Sequence, residues 1–187
     1  MIHFFSPTAF ETDRNLIQEL VRTAGETNQF ILKENCRALE DEVRRRTGAG
    51  HAIAVSNGTT AVLVALKAAG VGPGDEVIVQ AYCCQPVASQ VIALGARPVF
   101  VDVDPGTLVM DPAGVERRIT SRTKAILPAH LFSCMVDMPA IRRIAERHGL
   151  KVVEDACVQQ GAELHGVPAG RWGDVGTYSF FQAKVMG

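Results

Sequence analysis

At 187 residues, with 47% hydrophobic and 21% charged side chains, the chain has the balance of a folded globular protein and not of a disordered one. A chain of this length buries about 70% of the surface its unfolded form exposes, enough for one cored domain. A formal net charge of −1 gives no electrostatic case for a nucleic-acid or membrane partner, and no window approaches eighteen uninterrupted apolar residues.

The five cysteines, Cys36, Cys83, Cys84, Cys134 and Cys157, are odd in number and lack CxxC or other metal-ligand spacing. A reduced, cytoplasmic chain without a metal site is expected. Met1-Ile2-His3-Phe4-Phe5-Ser6-Pro7 has neither the basic leader nor the apolar stretch of a signal peptide, and residues 1–12 read as an irregular arm. Leu16, Ile17, Leu20 and Val21 predict an amphipathic helix over 14–24, ended by Gly25. Leu39 and Val43 predict a second helix over 34–47, with Arg44-Arg45-Arg46 where cations suit the helix dipole and Gly48 and Gly50 beyond. Residues 1–50 thus form an N-terminal helical arm, and 51–187 the main domain.

From residue 51 the pattern becomes regular. Apolar runs of strand length at 52–55, 76–79, 98–101, 124–127 and 151–153 alternate with helix-length segments at 59–69, 86–94, 112–119 and 138–148, with Gly70, Gly95 and Gly149 at C-cap positions. Strands that are apolar throughout and alternate with helices predict an α/β fold: a mostly parallel sheet covered by helices on both faces. The run Ala61-Val62-Leu63-Val64-Ala65-Leu66 is apolar on every side, so its helix is expected to be buried. Residues 161–176 read as a Gly-rich loop over the sheet, carrying Trp172, and 176–181 as a last strand.

Ligands bind beyond the carboxyl ends of the strands of such sheets. There lie Ser56-Asn57-Gly58-Thr59-Thr60, Tyr82-Cys83-Cys84, Asp102 and Asp104, His130, and Asp155. Gly58 permits close backbone approach, and the N–H groups of Thr59 and Thr60 open a helix; this is an anion site or a plain helix cap. No GxGxxG is present. His130 is an acid or base or a satisfied core histidine, and Asp102 and Asp104 read as turn residues before Pro105-Gly106. Glu154 points away from Asp155 on a strand, which argues against a two-carboxylate hydrolase. Asp155 and Lys184 are either a helix cap and a solvated surface lysine, or a carboxylate able to keep a pyridinium nitrogen protonated and an amine able to form an imine, the two protein groups pyridoxal phosphate chemistry needs most.

Taken in order, Ser56-Asn57-Gly58-Thr59-Thr60-Ala61, Gly74-Asp75-Glu76-Val77-Ile78-Val79, Pro98-Val99-Phe100-Val101-Asp102, Thr123-Lys124-Ala125-Ile126, Glu154-Asp155-Ala156 and Ser179-Phe180-Phe181 followed by Lys184 resemble the DegT/DnrJ/EryC1/StrS family over about residues 28–187. These are sugar and aminocyclitol aminotransferases of the fold-type I pyridoxal phosphate class. The resemblance implies that 51–187 is the cofactor-binding large domain. It implies that Lys184 forms the imine with the cofactor and shuttles the proton, that Asp155 pairs with the pyridinium nitrogen, and that Gly58, Thr59, Thr60 and Ser179 hold the phosphate. Cys84 stands where the family places an aromatic that stacks on the ring, with Tyr82 the nearest aromatic. Val158 replaces a Gln that bonds the phenolic oxygen, with Gln159 beside it. Ala183 replaces a hydroxyl residue and Ser133 a Gly.

The resemblance further implies transfer of an amino group from glutamate or glutamine to a keto-sugar or keto-cyclitol, as in antibiotic or surface-sugar biosynthesis, by a homodimer when full length. Phe181-Gln182-Ala183-Lys184-Val185-Met186 has the flavour of the aminocyclitol branch, and Lys184 argues against the dehydratase branch, which has histidine there. Family members continue past the lysine with a Gly-rich turn, strands and a small domain. The chain therefore reads as a truncated, N-terminal part, and as written is expected to be poorly soluble or inactive. The competing readings are an inactive remnant or regulatory member of the same family and a generic nucleotide-binding α/β domain.

Overall fold

The computed structural model describes residues 14–28, 34–131, 134–181 and 184. The expected arm at 1–12, Ser133, Ala183 and the end at Val185-Met186-Gly187 lie outside the described residues. The chain divides into two units, one of residues up to Ala54 with Phe181, the other of Val55–Phe180 with Lys184.

The first unit carries α1 (Arg14–Thr27) and α2 (Glu34–Thr47). Gly25 does not end α1 as expected; the helix runs to Thr27, whose hydroxyl donates to the Thr23 carbonyl, and stops before Asn28, which takes the left-handed φ of 56° that asparagine tolerates. On α2, Glu42 pairs with both Arg45 and Arg46, and Glu40 Oε1 accepts the Ala54 N–H at 2.8 Å.

The second unit is a five-stranded parallel sheet: β1 (Glu76–Gln80), β2 (Arg97–Val101), β3 (Thr123–Leu127), β4 (Lys151–Asp155) and, past the two-residue strands β5 (Glu163–Leu164) and β6 (Val167–Pro168), β7 (Val175–Thr177). The order across the sheet is β2-β1-β3-β4-β7. Its helices are α3 (Gly58–Ala68), α4 (Gln85–Ala93), α5 (Pro112–Arg118) and α6 (Met138–His148), each within a residue of the sequence reading; α6 ends on Gly149 at φ 65°. Side chains of successive strand residues go to opposite faces. Val77, Val79, Ala125, Leu127 and Val153 pack with Val62, Ala65 and Leu66 of α3 and Val87 and Val91 of α4. Ile78, Val101, Ile126 and Val152 pack with Val115 of α5 and Met138, Ile141 and Ile144 of α6. That double coverage is why the strands read as continuous apolar runs.

Three expectations are corrected. Residues 52–55 form no strand: Ile53 is 77% exposed, and the Ala54 N–H goes to a side chain instead of a ladder. The last strand is 175–177 and not 176–181, because the Ser179 carbonyl accepts the Gln160 side-chain amide in place of a strand partner. Helix α3 is not buried all round: Val64 is exposed while Val62, Ala65 and Leu66 are buried.

At the amino end of the sheet Glu76, 1% exposed, ties three elements together. Its Oε1 accepts from Arg97 Nη2 (2.6 Å) and from Arg122 Nε (3.0 Å) and Nη2 (2.7 Å), and its Oε2 from the Thr120 hydroxyl (2.6 Å). The Thr120 hydroxyl, then Arg97, hold its carboxyl down at about 2 against an ordinary 4.5. The folded value lies below the unfolded one, so the stabilisation is complete above pH 4.5 and is lost as pH falls toward 2. Glu76→Gln should therefore cost about 1–3 kcal/mol at neutral pH. In denaturant titrations across pH, the gap to wild type should close toward pH 2; a gap independent of pH would assign the loss to packing and not to charge.

Candidate functional site

The carboxyl edge of the sheet is stitched by one buried amide. Gln80, at the end of β1, donates from Nε2 to the Tyr82 carbonyl (3.0 Å) and accepts the Ala129 N–H at Oε1 (3.2 Å), joining the exits of β1 and β3. At the end of β4, the Asp155 N–H donates to the Pro128 carbonyl (2.9 Å) and its carbonyl accepts the His130 N–H (3.1 Å). The Asp155 side chain shares the α3/α4 face with Val153, is 5% exposed, and accepts the Cys157 N–H at Oδ1 (3.0 Å).

On the same face lies the start of α3. Asn57 caps it, its Oδ1 accepting the Thr60 N–H at 2.8 Å, while the Ser56 and Thr60 hydroxyls meet at 3.1 Å. The capping reading therefore holds for the Thr60 N–H, and Gly58 and Thr59 supply the first-turn donors that a helix leaves without intrahelical acceptors. Gly58 is a site of close approach: a Cβ there would lie 2.9 Å from Ser179 Cβ, 3.1 Å from Ser179 Oγ and 3.3 Å from Cys157 Sγ. Ser179 itself is buried, and its carbonyl accepts the Gln160 amide. Gln160 Oε1 is a buried acceptor with no hydrogen-bond partner among the described residues. Sequence reasoning missed Gln160; its only signal was a second glutamine following Gln159.

Lys184 is half-buried. The Cys84 thiol is pushed up by burial and then by Asp155, with Lys184 pulling it back. Burial and Asp155 also push the Cys157 thiol far up, again opposed by Lys184. Asp155 and Lys184 thus act on these two thiols in opposite directions. The Cys84 residue stays exposed overall while its thiol is only partly desolvated, and it is the N-cap residue of α4 without a side-chain cap bond. The Cys83 thiol, pushed up to about 11 by burial, donates to the Gln80 carbonyl, so it is a packed group and not a nucleophile. Tyr82 is 54% exposed, Val158 half-buried and Gln159 buried.

Other residues singled out in the sequence stand apart from this group. His130 is a satisfied core histidine, 1% exposed, bonded to Glu154 and to the Val136 N–H. Asp104 is a turn residue, its Oδ1 accepting from the N–H groups of Gly106 and Thr107. A phosphorylated pyridine aldehyde asks for an amine, a sheltered carboxylate and a backbone cradle too tight for a side chain. Lys184, Asp155 and the Gly58/Ser179 approach fit that group.

The sequence matches the DegT/DnrJ/EryC1/StrS aminotransferase family over residues 11–187. It is 45% identical over 180 residues to a pleiotropic regulatory protein of Geobacillus stearothermophilus, covering 95% of this chain and 48% of that protein. It is 46% identical over 158 residues to a UDP-N-acetyl-3-dehydro-alpha-D-glucosamine 3-aminotransferase of Acidithiobacillus ferrooxidans, covering 84% of this chain and 43% of the other. The fold superposes on S. venezuelae DesV, solved with a ketimine intermediate, at a TM-score of 0.95 and 35% identity, over all of this chain and 50% of that one. Other solved relatives hold the cofactor as PLP or PMP. The chain spans about half the length of the curated relatives it matches.

Alanine is ordinarily the better helix former, by about 1 kcal/mol over glycine. Gly58→Ala should nevertheless destabilise, by about 1–3 kcal/mol, because its Cβ meets Ser179 Cβ at 2.9 Å and Ser179 cannot retreat without disturbing its neighbours. Urea unfolding reads the sign; a stabilised variant would mean that the cradle yields.

Proposed function

Because the chain belongs to the DegT/DnrJ/EryC1/StrS aminotransferase family, we propose that it is the cofactor-binding part of a pyridoxal phosphate-dependent aminotransferase. The substrate class is a keto-sugar or keto-cyclitol, with glutamate or glutamine as donor. Residues 51–187 make up the large domain behind a helical arm, in a cytoplasmic enzyme that works as a homodimer when full length. The observation that carries this reading is the family match over residues 11–187, supported by buried Asp155 at the carboxyl end of β4 and the close approach of Gly58 to Ser179 on the same edge of a parallel sheet. The match to the Acidithiobacillus aminotransferase supports the substrate class.

Pyridoxal phosphate supplies an aldehyde that exchanges between amines and an electron-poor ring that takes up the electron pair left when a proton departs. The residues of this chain have separate tasks. Asp155, nearly sealed from solvent, would give the ring N–H an acceptor that water does not displace and so would keep that nitrogen protonated. Ser179 and the first-turn N–H groups at Gly58 and Thr59 would hold the phosphate at the positive end of α3, with Thr60 engaged by the Asn57 cap. Lys184 would supply the amine that holds the aldehyde and the group that takes up and returns the proton as general base and acid. Cys84 would offer the ring a soft apolar contact in place of an aromatic.

A second reading, a regulatory member of the family without catalysis, draws on the name of the Geobacillus relative and on Val158 and Cys84 at ring-facing positions. One experiment separates the two. Incubation with pyridoxal phosphate, borohydride reduction and peptide mapping should yield an adduct on Lys184 that is absent from Lys184→Ala. Asp155→Ala should form the same adduct but fail to turn over donor amine, with a loss of at least about 100-fold in the half-reaction rate. A folded wild type without adduct would discard the enzyme reading.

A further inference from the structure

Glu154 is fully buried and lies on the opposite face of β4 from Asp155, so it has no part in the site described above. Its two oxygens nevertheless accept four N–H groups. Oε1 takes the Gly170 N–H (2.6 Å) and His130 Nε2 (2.9 Å); Oε2 takes the N–H groups of Trp172 (2.7 Å) and Gly173 (2.9 Å). Four donors are what an ionised carboxylate, an acceptor-only group, can satisfy. His130 Nδ1 accepts the Val136 N–H (3.2 Å), so the ring hydrogen sits on Nε2 and is donated to Glu154.

The segment this carboxylate grips ends at Gly173, two residues before the first residue of β7. That strand is three residues long, Val175-Gly176-Thr177, and pairs Val153 with Val175, Glu154 with Gly176 and Asp155 with Thr177. A short strand with glycine at its centre specifies its own register weakly, and a slip of one residue shifts the downstream chain by about 3.3 Å and reverses its faces. Ser179 and Lys184 stand two and seven residues after Thr177. Besides Glu154, the same segment is held by Asp174, whose Oδ2 accepts the Val152 N–H and whose own N–H donates to the Val152 carbonyl, both at 2.8 Å. Through His130 the carboxylate also holds the residue whose N–H bonds the Asp155 carbonyl.

We propose that Glu154, supported by His130, is a positioning residue for cofactor capture: from behind the sheet it sets the register of β7 against β4, and so the placement of Ser179 and Lys184 relative to Asp155. The proposal rests on the reading of Lys184 and Asp155 as the cofactor site. Glu154→Gln keeps the shape but turns an NH2 toward N–H donors. His130→Gln keeps a donor near the Nε2 position, whereas His130→Ala removes it.

The test measures, in the full-length protein, the yield of borohydride-trapped adduct on Lys184 over a titration of pyridoxal phosphate. Alongside it, hydrogen exchange of the apoprotein is followed over residues 168–178, with far-UV circular dichroism to verify folding. Folded Glu154→Gln should exchange faster across 170–173 and need at least about tenfold more cofactor for half-maximal trapping, the equivalent of one charge-assisted hydrogen bond. His130→Gln should stay within about threefold of wild type, while His130→Ala moves toward Glu154→Gln. A normal trapping curve in Glu154→Gln, with faster exchange alone, would overturn the proposal and leave Glu154 a structural residue. Should Glu154→Gln not fold, equal trapping by the two His130 variants overturns it instead. Absence of a Lys184 adduct in wild type would reject the cofactor site and this proposal together.

Discussion

The pairing of three residues of β7 with the end of β4 is the constraint on which the site depends. The earlier strands are held mainly by core burial: β1, β3 and β4 each place buried apolar residues on both faces and are clamped between helix pairs. β7 has no comparable payload, with half-buried Val175 and Gly176 and buried Thr177. Its place is set by hydrogen bonds to groups of β4, the carboxylate of Glu154 and the backbone of Val152 among them. Hydrophobic burial is non-directional and tolerates small slides, whereas a carboxylate gripping three backbone N–H groups does not. The sheet supplies the platform, and polar bonds supply the angular accuracy at its working edge.

Alternation along β4 lets one strand do both jobs. Val152 and Glu154 face α5 and α6; Val153 and Asp155 face α3 and α4. Two adjacent carboxylates would repel if they shared a pocket, and here each meets its own donors: Glu154 four N–H groups, Asp155 the Cys157 N–H. Asp155 thus keeps acceptor capacity for a ligand while Glu154 spends its capacity on the fold. Glu76, at the far end of the sheet, does for β1, β2 and the turn before β3 what Glu154 does for β4 and β7.

The sheet and its helices were legible because the strands are buried on both faces and the helices begin and end on residues with clear physical roles, such as Asp137 before α6 and Gly149 after it. Residues 52–55 and 178–181 misled for a common reason: apolar, β-branched or aromatic composition signals a strand, but a strand also needs a neighbour, and pairing is not written in local composition. Gly58, Asp155, Ser179 and Lys184 were singled out as a set through the ordered motifs, and the structure brings Gly58 against Ser179. Gln160 was not, because its role is to hold a backbone carbonyl nineteen residues away. Nor was the work of Glu154, since a glutamate beside a catalytic-type aspartate carries no mark of the loop that will fold under it.

On the proposed reading, the departures from the family pattern fall on one kind of contact. Val158 and Cys84 bear on the ring's phenolic oxygen and face, whereas the groups for the ring nitrogen, the phosphate and the aldehyde remain in Asp155, Ser179 with Gly58, and Lys184. Those remaining groups act through charge and hydrogen bonds in sheltered positions, where each charged bond contributes about 1.5–3 kcal/mol. A stacked ring adds only about 0.5–1.5 kcal/mol beyond its area, and a thiol beside the ring keeps part of that through sulfur–aromatic attraction. Loss of the stacking residue and the phenolic-oxygen donor therefore weakens affinity without removing the three anchors that define where the cofactor sits.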